Sequence, residues 1–379
     1  MRHGLILCAL LGAALLQSCA PPPPRQASQA PQPALSDNLA AVIADIESAA
    51  TRIGNGERAA ARSLPHDIEV LTRAIEGGQT DAEGILMLRY YRGQARQILV
   101  SLGQMLRLPT DRQMAEAAIS DFTAVAGAAS GDASTEELKK NAMYLAGYVA
   151  TSGLDDAARG MGYFQRCAAQ KHAGCQNVVA SAKVGGSSGM AKDLNGAAAL
   201  HLEAYGTRLD YGCSGPSSAF GLAQMTHFTS VKIEDRSSLD WLRRAYRLAD
   251  QAKVRSGGVD ACGGDYMSIY EYLIRLEKRE KKPELLDRSL GDISIEEAPD
   301  IIRKMVGYLR DESPESEYRA EVIGTHDTFS RCEYAFVGLW KAAISNQMTA
   351  ARAYRDIILK DRGNSTCAEN LTYAGRFFS

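Results

Sequence analysis

The sequence predicts an all-α protein built as an αα-hairpin repeat solenoid, in which short helices pair and the pairs stack. Alanine and leucine are abundant and aromatic residues make up 7% of the chain, a composition that favours helices over a β-sandwich or β-barrel. Apolar residues recur every three or four positions after Ser36, as at Val42, Ile43 and Ile46. Gly, Asp, Asn and Ser separate the segments, and tandem pairs of short helices are typical of solenoids.

The first 18 residues have the pattern of an export signal. A short basic start precedes an apolar run over 4–16, which is shorter than the roughly 20 residues that a membrane-spanning helix needs. The run ends in LQSC, whose last letter is Cys19, and this resembles the lipobox of bacterial lipoproteins. The resemblance implies cleavage before Cys19 and acylation of that cysteine. An ordinary secretory signal with a chance cysteine is the alternative.

A proline-rich stretch follows the cysteine. Residues 20–35 read APPPPRQASQAPQPAL, which excludes helix and favours an extended tether rising about 3.1 Å per residue. Ala20 stands where the enterobacterial sorting pattern has aspartate for the inner membrane, so we expect the outer membrane, with the domain facing the periplasm. The expected parts are a signal peptide over 1–18, a lipid-anchored tether over 19–36 and a helical repeat domain over 37–379.

Charge and metal-binding patterns narrow the range of partners. The net charge of −2 lacks the basic excess that nucleic-acid binding needs. No later apolar run is long enough to span a bilayer, so we expect the lipid anchor to be the link to the membrane. The histidines lack the spacing of a helical metal site, and we expect neither a metal nor a cofactor.

Six cysteines remain beyond the signal and the anchor. An even number in an exported chain indicates disulfides, and the absence of a CxxC pair argues against a zinc ribbon or a thioredoxin-like redox centre. They are Cys167, Cys175, Cys213, Cys262, Cys332 and Cys367. Their number alone leaves several pairings open.

One stretch resembles the tetratricopeptide repeat. Residues 90–95 read YYRGQA and residues 117–122 read AAISDF, matching the aromatic, glycine and alanine of that repeat's first helix and the alanine and aromatic of its second. The resemblance implies that Gly93 lets the second helix approach and that Phe122 fills the space beyond. A less complete copy begins at 144–150, YLAGYVA.

A second stretch, 163–206, resembles the cysteine-rich form of the Sel-one-like repeat, a close relative of the tetratricopeptide unit. It has Cys167 and Cys175 with seven residues between them, a glycine-containing loop, and Asp193 before a helix. The resemblance implies a Cys167–Cys175 disulfide, since the adjoining ends of two antiparallel helices lie within the roughly 5.5 Å that a disulfide needs between Cα atoms. Asp193 is expected to cap the next helix.

For the other cysteines we prefer Cys213–Cys262 and Cys332–Cys367. Cys213 takes the place of Cys175 in the next repeat, and no cysteine stands near Ala204 to join it. It must therefore reach outside its own hairpin.

Isolated catalytic patterns have structural interpretations. Residues 185–189, GGSSG, have the letters of a nucleophile elbow, but helix-like sequence precedes them where the elbow needs a strand. We therefore place Ser187 in a repeat loop and predict no enzyme activity. His172 is expected to be exposed between the two cysteines, and Trp241 and Trp340 to lie in the core.

The candidate binding residues follow from the expected register. In a stacked solenoid the first helices of successive units line the concave side. The predicted wall comprises helices near 84–99, 138–152, 193–206 and 238–252. Its Arg, Tyr and His residues, types frequent at interfaces, are Arg89, Arg92, Arg96, Tyr148, His201, Tyr205, Arg243 and Arg244. A merely solvated face is the alternative for the arginines.

The function predicted from these patterns is a membrane-anchored envelope lipoprotein that binds an envelope protein or peptide in a helical-repeat groove. Two alternatives stay open. A cell-wall hydrolase would need polar side chains converging in a deep cleft. A purely structural, peptidoglycan-associated component would have a featureless concave face.

Overall fold

The computed structural model describes residues 35–54, 57–106, 111–129, 133–206, 213–229, 231–255, 262, 300–309, 311–325, 328–375 and 378. Within these ranges all regular structure is helical and no strand occurs, so the all-α prediction is confirmed. The signal segment, Cys19 and the tether up to residue 34 lie outside the described residues.

Helices follow one another with short connections. The α-helices of the described ranges are α1 Asp37–Gly54, α2 Leu64–Glu76, α3 Ala82–Met105, α4 Arg112–Ala126, α5 Ala133–Tyr148, α6 Ala157–Ala169, α7 Ala173–Gly185, α8 Leu194–Gly206, α9 Ser214–Phe228, α10 Ser238–Arg255, α11 Asp300–Leu309, α12 Glu315–Gly324, α13 Thr328–Ile344, α14 Met348–Lys360 and α15 Ser365–Ala374. A 3₁₀ turn covers Arg58–Arg62, and a π-helical turn, Val149–Gly153, ends α5.

Side-chain caps fix where several helices begin. Asp81 accepts a hydrogen bond from the backbone N of Gly84 at the start of α3, at 2.8 Å. Asp193 accepts one from the N of Gly196 at 2.8 Å, as expected from the sequence. Each cap satisfies a donor that the first turn of a helix leaves unpaired, so the loop sequences determine the helix boundaries.

Helices that are neighbours along the chain pack against each other from α1 to α10, and alternate helices also meet. α1 contacts α3, α3 contacts α5, and α7 contacts α9. Between α5 and α7 the link is a 3.0 Å hydrogen bond from Nε2 of His172 to Oδ1 of Asn141. The odd-numbered helices α1 to α9 therefore form one row, the odd row, and α2 to α10 form the even row. This pairing of adjacent helices is consistent with an α-helical repeat.

The two rows differ in exposure. From Gly84 to Gln104, α3 has no exposed residue, because helices of both rows surround it. The even-row helix α4 instead buries one face, which includes Ile119 and Phe122, and exposes the face of Glu116. α4 is thus amphipathic, whereas α3 is covered on most sides.

Two close glycine–aromatic contacts occur between consecutive helices, one between α3 and α4 and one between α5 and α6. A β-carbon at Gly93 would meet the ring of Phe122 at 2.8 Å, and one at Gly147 would meet Phe164 at 2.8 Å. The close packing expected from the tetratricopeptide resemblance is therefore present at Gly93. The pair with Gly147 repeats it one hairpin later.

The structure contains the three preferred disulfides. Cys167–Cys175 joins the end of α6 to the start of α7 with 5.8 Å between Cα atoms. The others are Cys213–Cys262, at 5.2 Å, and Cys332–Cys367, at 5.3 Å. Each bridge restricts the unfolded chain, which is the main source of disulfide stabilisation in the chain-entropy account.

Beyond α10, the helices α11 to α15 bury a separate apolar cluster. Tyr308, Tyr318 and Tyr354 pack together there with ring centroids 5.4 to 6.4 Å apart, and the rings of Tyr308 and Tyr318 are stacked. Trp340 packs against this cluster, and Trp241 is fully buried among α8 to α10, so both tryptophans lie in cores as expected. None of the described helices combines the length and apolar content needed to cross a bilayer.

Candidate functional site

Two arginines of α3, Arg92 and Arg96, form ion pairs inside the protein. Arg92 donates from Nε and Nη2 to the two carboxylate oxygens of Asp121, at 3.0 and 2.6 Å, and from Nη1 to Oγ1 of Thr72 at 3.1 Å. Arg96 donates from Nη1 to Oδ2 of the same carboxylate at 2.6 Å. The side chain of Asp121 is 3% exposed, and those of Arg92 and Arg96 are 13% and 17% exposed. This is a nearly buried cluster of two cations on one anion.

The hydrogen-bond partners of Arg92 and Arg96 show which neighbouring helices these side chains face. Thr72 belongs to α2 and Asp121 to α4, so Arg92 bridges two even-row helices and Arg96 contacts the second of them. Burial lowers the pKa of Arg96, and the charge of Asp121 acts against that shift. Arg92 and Arg96 are therefore not the open binding positions that the sequence predicted; Arg89, on the same helix, is half-buried.

Tyr148 and His201 are also internal. Tyr148 is 8% exposed and His201 is 2% exposed. His201 donates from Nδ1 to Oδ1 of Asn177 at 3.0 Å, and Oγ of Ser218 donates to the same oxygen at 2.8 Å. Burial lowers the pKa of His201 to about 4, so the ring is neutral. Neither residue is an open contact position, which corrects the sequence-based expectation.

Tyr205 and Arg244 are bound to each other. Nη1 of Arg244 donates to Oη of Tyr205 at 3.0 Å, and its guanidinium carbon lies 5.8 Å from the ring centroid of Trp241. Tyr205 and Trp241 meet edge to face at 5.4 Å. These contacts connect α8 with α10. Of the eight candidate residues, Arg243 alone is classed as exposed.

The structure corrects the predicted wall. Helices α3 and α5 belong to the odd row, whereas α8 and α10 belong to the even row, because α7 is a helix in its own right between α6 and α8. Residues on α8 and α10 therefore do not extend the surface formed by α3 and α5. The odd row continues through α7 and α9.

A small cleft that the sequence analysis missed lies on the odd row, between the first turns of α3 and α5. Its lining residues are Glu83, Leu86, Met87, Ser134, Thr135 and Leu138. Oγ1 of Thr135 donates to Oε1 of Glu83 at 3.3 Å across it. Its enclosed volume of about 20 Å³ is room for roughly one water molecule, far below the roughly 300–1,000 Å³ of small-molecule sites. No motif marks it, because it arises where helices two places apart meet.

Two local expectations have different outcomes. Ser187 follows the helix α7 and a left-handed turn at Gly186, with φ of 63°, so the strand that a nucleophile elbow requires is absent before it.

The prediction that His172 is exposed is wrong, since it is 6% exposed. Asn141 and Tyr144 of α5 contact its ring. Burial and the positive charge of Lys140 lower the pKa of His172 to about 4.

No family model matches this chain, and neither does a curated protein or a solved structure. Its functional interpretation therefore rests on sequence pattern and geometry.

Proposed function

We propose that this chain is a lipid-anchored envelope lipoprotein whose tetratricopeptide-like solenoid binds a protein or peptide partner. The observation that carries the proposal is the odd row, the helices α1, α3, α5, α7 and α9, in which α5 is joined to α7 through His172 at its N-cap. In a stacked αα-hairpin solenoid, one helix of each pair lines the concave face, and such faces are extended binding surfaces. We assign the concave face to the odd row.

The repeated glycine–aromatic packing supports the solenoid assignment. Gly93 against Phe122 and Gly147 against Phe164 place the same contact in two successive hairpins. Equivalent contacts give successive hairpins a similar geometry, and a constant geometry generates a regular stack. The stretches that resemble tetratricopeptide and Sel-one-like repeats lie within this part of the chain.

The cleft between α3 and α5 supports a peptide rather than a cofactor as ligand. Leu86, Met87 and Leu138 supply apolar walls, while Glu83 and Thr135 supply a polar rim. Apolar side chains with polar groups beside them are typical of protein interfaces, and the cleft is too small to enclose a cofactor. We assign no catalytic role and no cofactor to the chain.

The proposed location in the cell envelope is based on the sequence of the amino terminus. The apolar run over 4–16, the LQSC letters ending at Cys19 and the proline-rich stretch after it together favour an acylated cysteine followed by a stiff spacer. The outer membrane, with the domain facing the periplasm, is the proposed location.

Site-specific photo-crosslinking in the native envelope tests the binding face. A photoreactive amino acid replaces Met87 in the cleft or, as the control, Ser120, an exposed even-row residue of α4. We expect an adduct with an envelope protein or peptide from position 87 and none from position 120. Adducts of equal yield at both positions, or adducts at position 120 alone, contradict the assignment. Far-ultraviolet circular dichroism of both variants checks that the helices are intact.

A further inference from the structure

Cys167, His172 and Cys175 form the one group of three potential metal ligands found among the described residues. The two sulfur atoms and an imidazole nitrogen all lie within 4.8 Å of one another. Cys167 and Cys175 have no exposed surface, and His172 is 6% exposed. In the structure the sulfurs are joined as a disulfide. The scaffold role does not use this group.

The imidazole is held in the orientation that metal-binding histidines adopt. Nε2 of His172 donates to Oδ1 of Asn141 at 3.0 Å, which leaves the lone pair on Nδ1. Nδ1 faces Cys175 and accepts its backbone N–H at 3.3 Å, which is long for such a bond. Metal-ligating histidines usually donate their other ring N–H to an oxygen acceptor, which fixes the tautomer and the ring plane. Asn141 supplies that acceptor.

We propose that reduction of the Cys167–Cys175 disulfide creates a Zn²⁺ site formed by the two thiolates and Nδ1 of His172. A two-electron reductant, a dithiol or a phosphine, breaks the S–S bond and leaves two thiols; the dithiol becomes a disulfide, or the phosphine becomes its oxide with oxygen from water. Zn²⁺ then displaces both thiol protons to solvent. Two sulfurs and one nitrogen leave the fourth tetrahedral position for water.

Charge balance suits the buried position. Zn²⁺ with two thiolates and a neutral imidazole carries no net charge, so the assembly avoids the cost of an isolated buried ion. Lys140, the nearby cation, is paired with Glu137 through Nζ and Oε2 at 3.8 Å. Neither of the other disulfides has a third potential ligand beside it among the described residues, so reduction is expected to create one site per chain.

Co²⁺ titration of the full chain tests the proposal, with a phosphine as reductant because dithiols compete for metal. Alkylation and mass spectrometry first establish that Cys167 and Cys175 are free thiols. We expect one Co²⁺ to bind per chain with release of two protons and to show tetrahedral d–d bands and thiolate-to-metal charge transfer. Zn²⁺ is then expected to displace the Co²⁺ without further proton release. The oxidised chain is expected to show none of these signals.

Two matched variants isolate the imidazole. His172→Asn keeps a side-chain acceptor for the N–H of Cys175 but removes the ligand, and we expect affinity to fall roughly tenfold or more. His66→Asn removes an exposed histidine of α2 and is expected to bind Co²⁺ like the parent chain. If reduction unfolds the chain, Zn²⁺ is expected to restore helical circular dichroism in the parent and not in His172→Asn. Free thiols without Co²⁺ or Zn²⁺ uptake, or equal uptake by His172→Asn, overturn the proposal.

Discussion

Gly93 and Phe122 pack so closely that a β-carbon on the glycine would lie 2.8 Å from Cε1 of the ring. Gly147 and Phe164 have the same relationship one hairpin further along. Phe122 has no exposed surface and Phe164 is 3% exposed, so neither ring can swing into solvent. Close approach of two helices at a glycine is therefore a fixed part of the repeat.

Gly147→Ala is expected to lower the free energy of unfolding by about 1–3 kcal/mol, because the added methyl overpacks the contact with Phe164. Urea denaturation midpoints measure the loss. The control is Gly162→Ala in α6, where a β-carbon meets nothing within 4 Å. Since alanine is the better helix former, that variant is expected to gain up to about 1 kcal/mol. Equal effects of the two substitutions are the result that would remove the packing explanation.

Asp121→Asn is expected to cost about 3–5 kcal/mol, because it leaves Arg92 and Arg96 without their shared anion in a largely buried groove. The control is Glu116→Gln, which breaks a 2.8 Å pair between Oε1 of Glu116 and Nη1 of Arg159. That glutamate side chain is 50% exposed, so the loss is expected to be about 0–1 kcal/mol. A calorimetric loss for Asp121→Asn as small as that expected for Glu116→Gln would contradict a stabilising role of the Asp121 cluster.

Acid is expected to destabilise the fold through His172 and His201. Burial lowers both pKa values from 6.5 to about 4, so the unfolded chain takes up protons first as the pH falls. The stabilisation is therefore complete above pH 6.5, decreases as the pH falls toward 4, and levels off below that. Each histidine is expected to account for a loss on the order of 3 kcal/mol in the free energy of unfolding across this pH range.

The difference between the parent and His201→Asn isolates one histidine from the carboxylates that titrate in the same range. The dependence of unfolding free energy on pH between 6.5 and 4 is expected to be shallower in the variant. Identical slopes in urea unfolding at successive pH values would rule out His201 as a source of acid sensitivity.

Cys19→Ser tests the proposed anchor. Without the thiol, no acyl chain can be attached at this position, so the chain is expected to remain unprocessed or to leave the membrane fraction. Immunoblots of fractions washed with high salt measure both outcomes. Ser18→Gly, which keeps a small residue before the cysteine, is the control and is expected to stay anchored. Correct cleavage with full membrane retention of Cys19→Ser would refute lipidation.

Local sequence patterns predicted the helices and the cap at Asp193. The repeat resemblances implied the contact of Gly93 with Phe122 and the Cys167–Cys175 disulfide, each of which joins residues within one hairpin or at the adjoining ends of consecutive helices, whereas the other two disulfides were only the preferred pairing. The row in which a helix lies was not predictable in this way. The register placed α8 rather than α7 on the wall formed by α3 and α5, although both helices have 13 residues. A shift of one helix in this alternation exchanges the two rows for everything that follows.

Burial of His172 and the partners of the arginines also escaped the sequence analysis. The ring of His172 is covered by Asn141 and Tyr144, which lie about thirty residues earlier. Arg92 finds its anion on α4, in a groove that exists only after three helices have packed. Contacts between residues on different helices depend on how the helices pack, and the apolar periodicity along one helix does not predict that packing.

Because the main contacts among the described helices join elements one or two places apart, the described hairpins can assemble without waiting for the far end of the chain. Such low contact order favours fast folding. Each hairpin can dock onto the one before it as soon as it is made, so the amino-terminal hairpins can act as a template for those that follow.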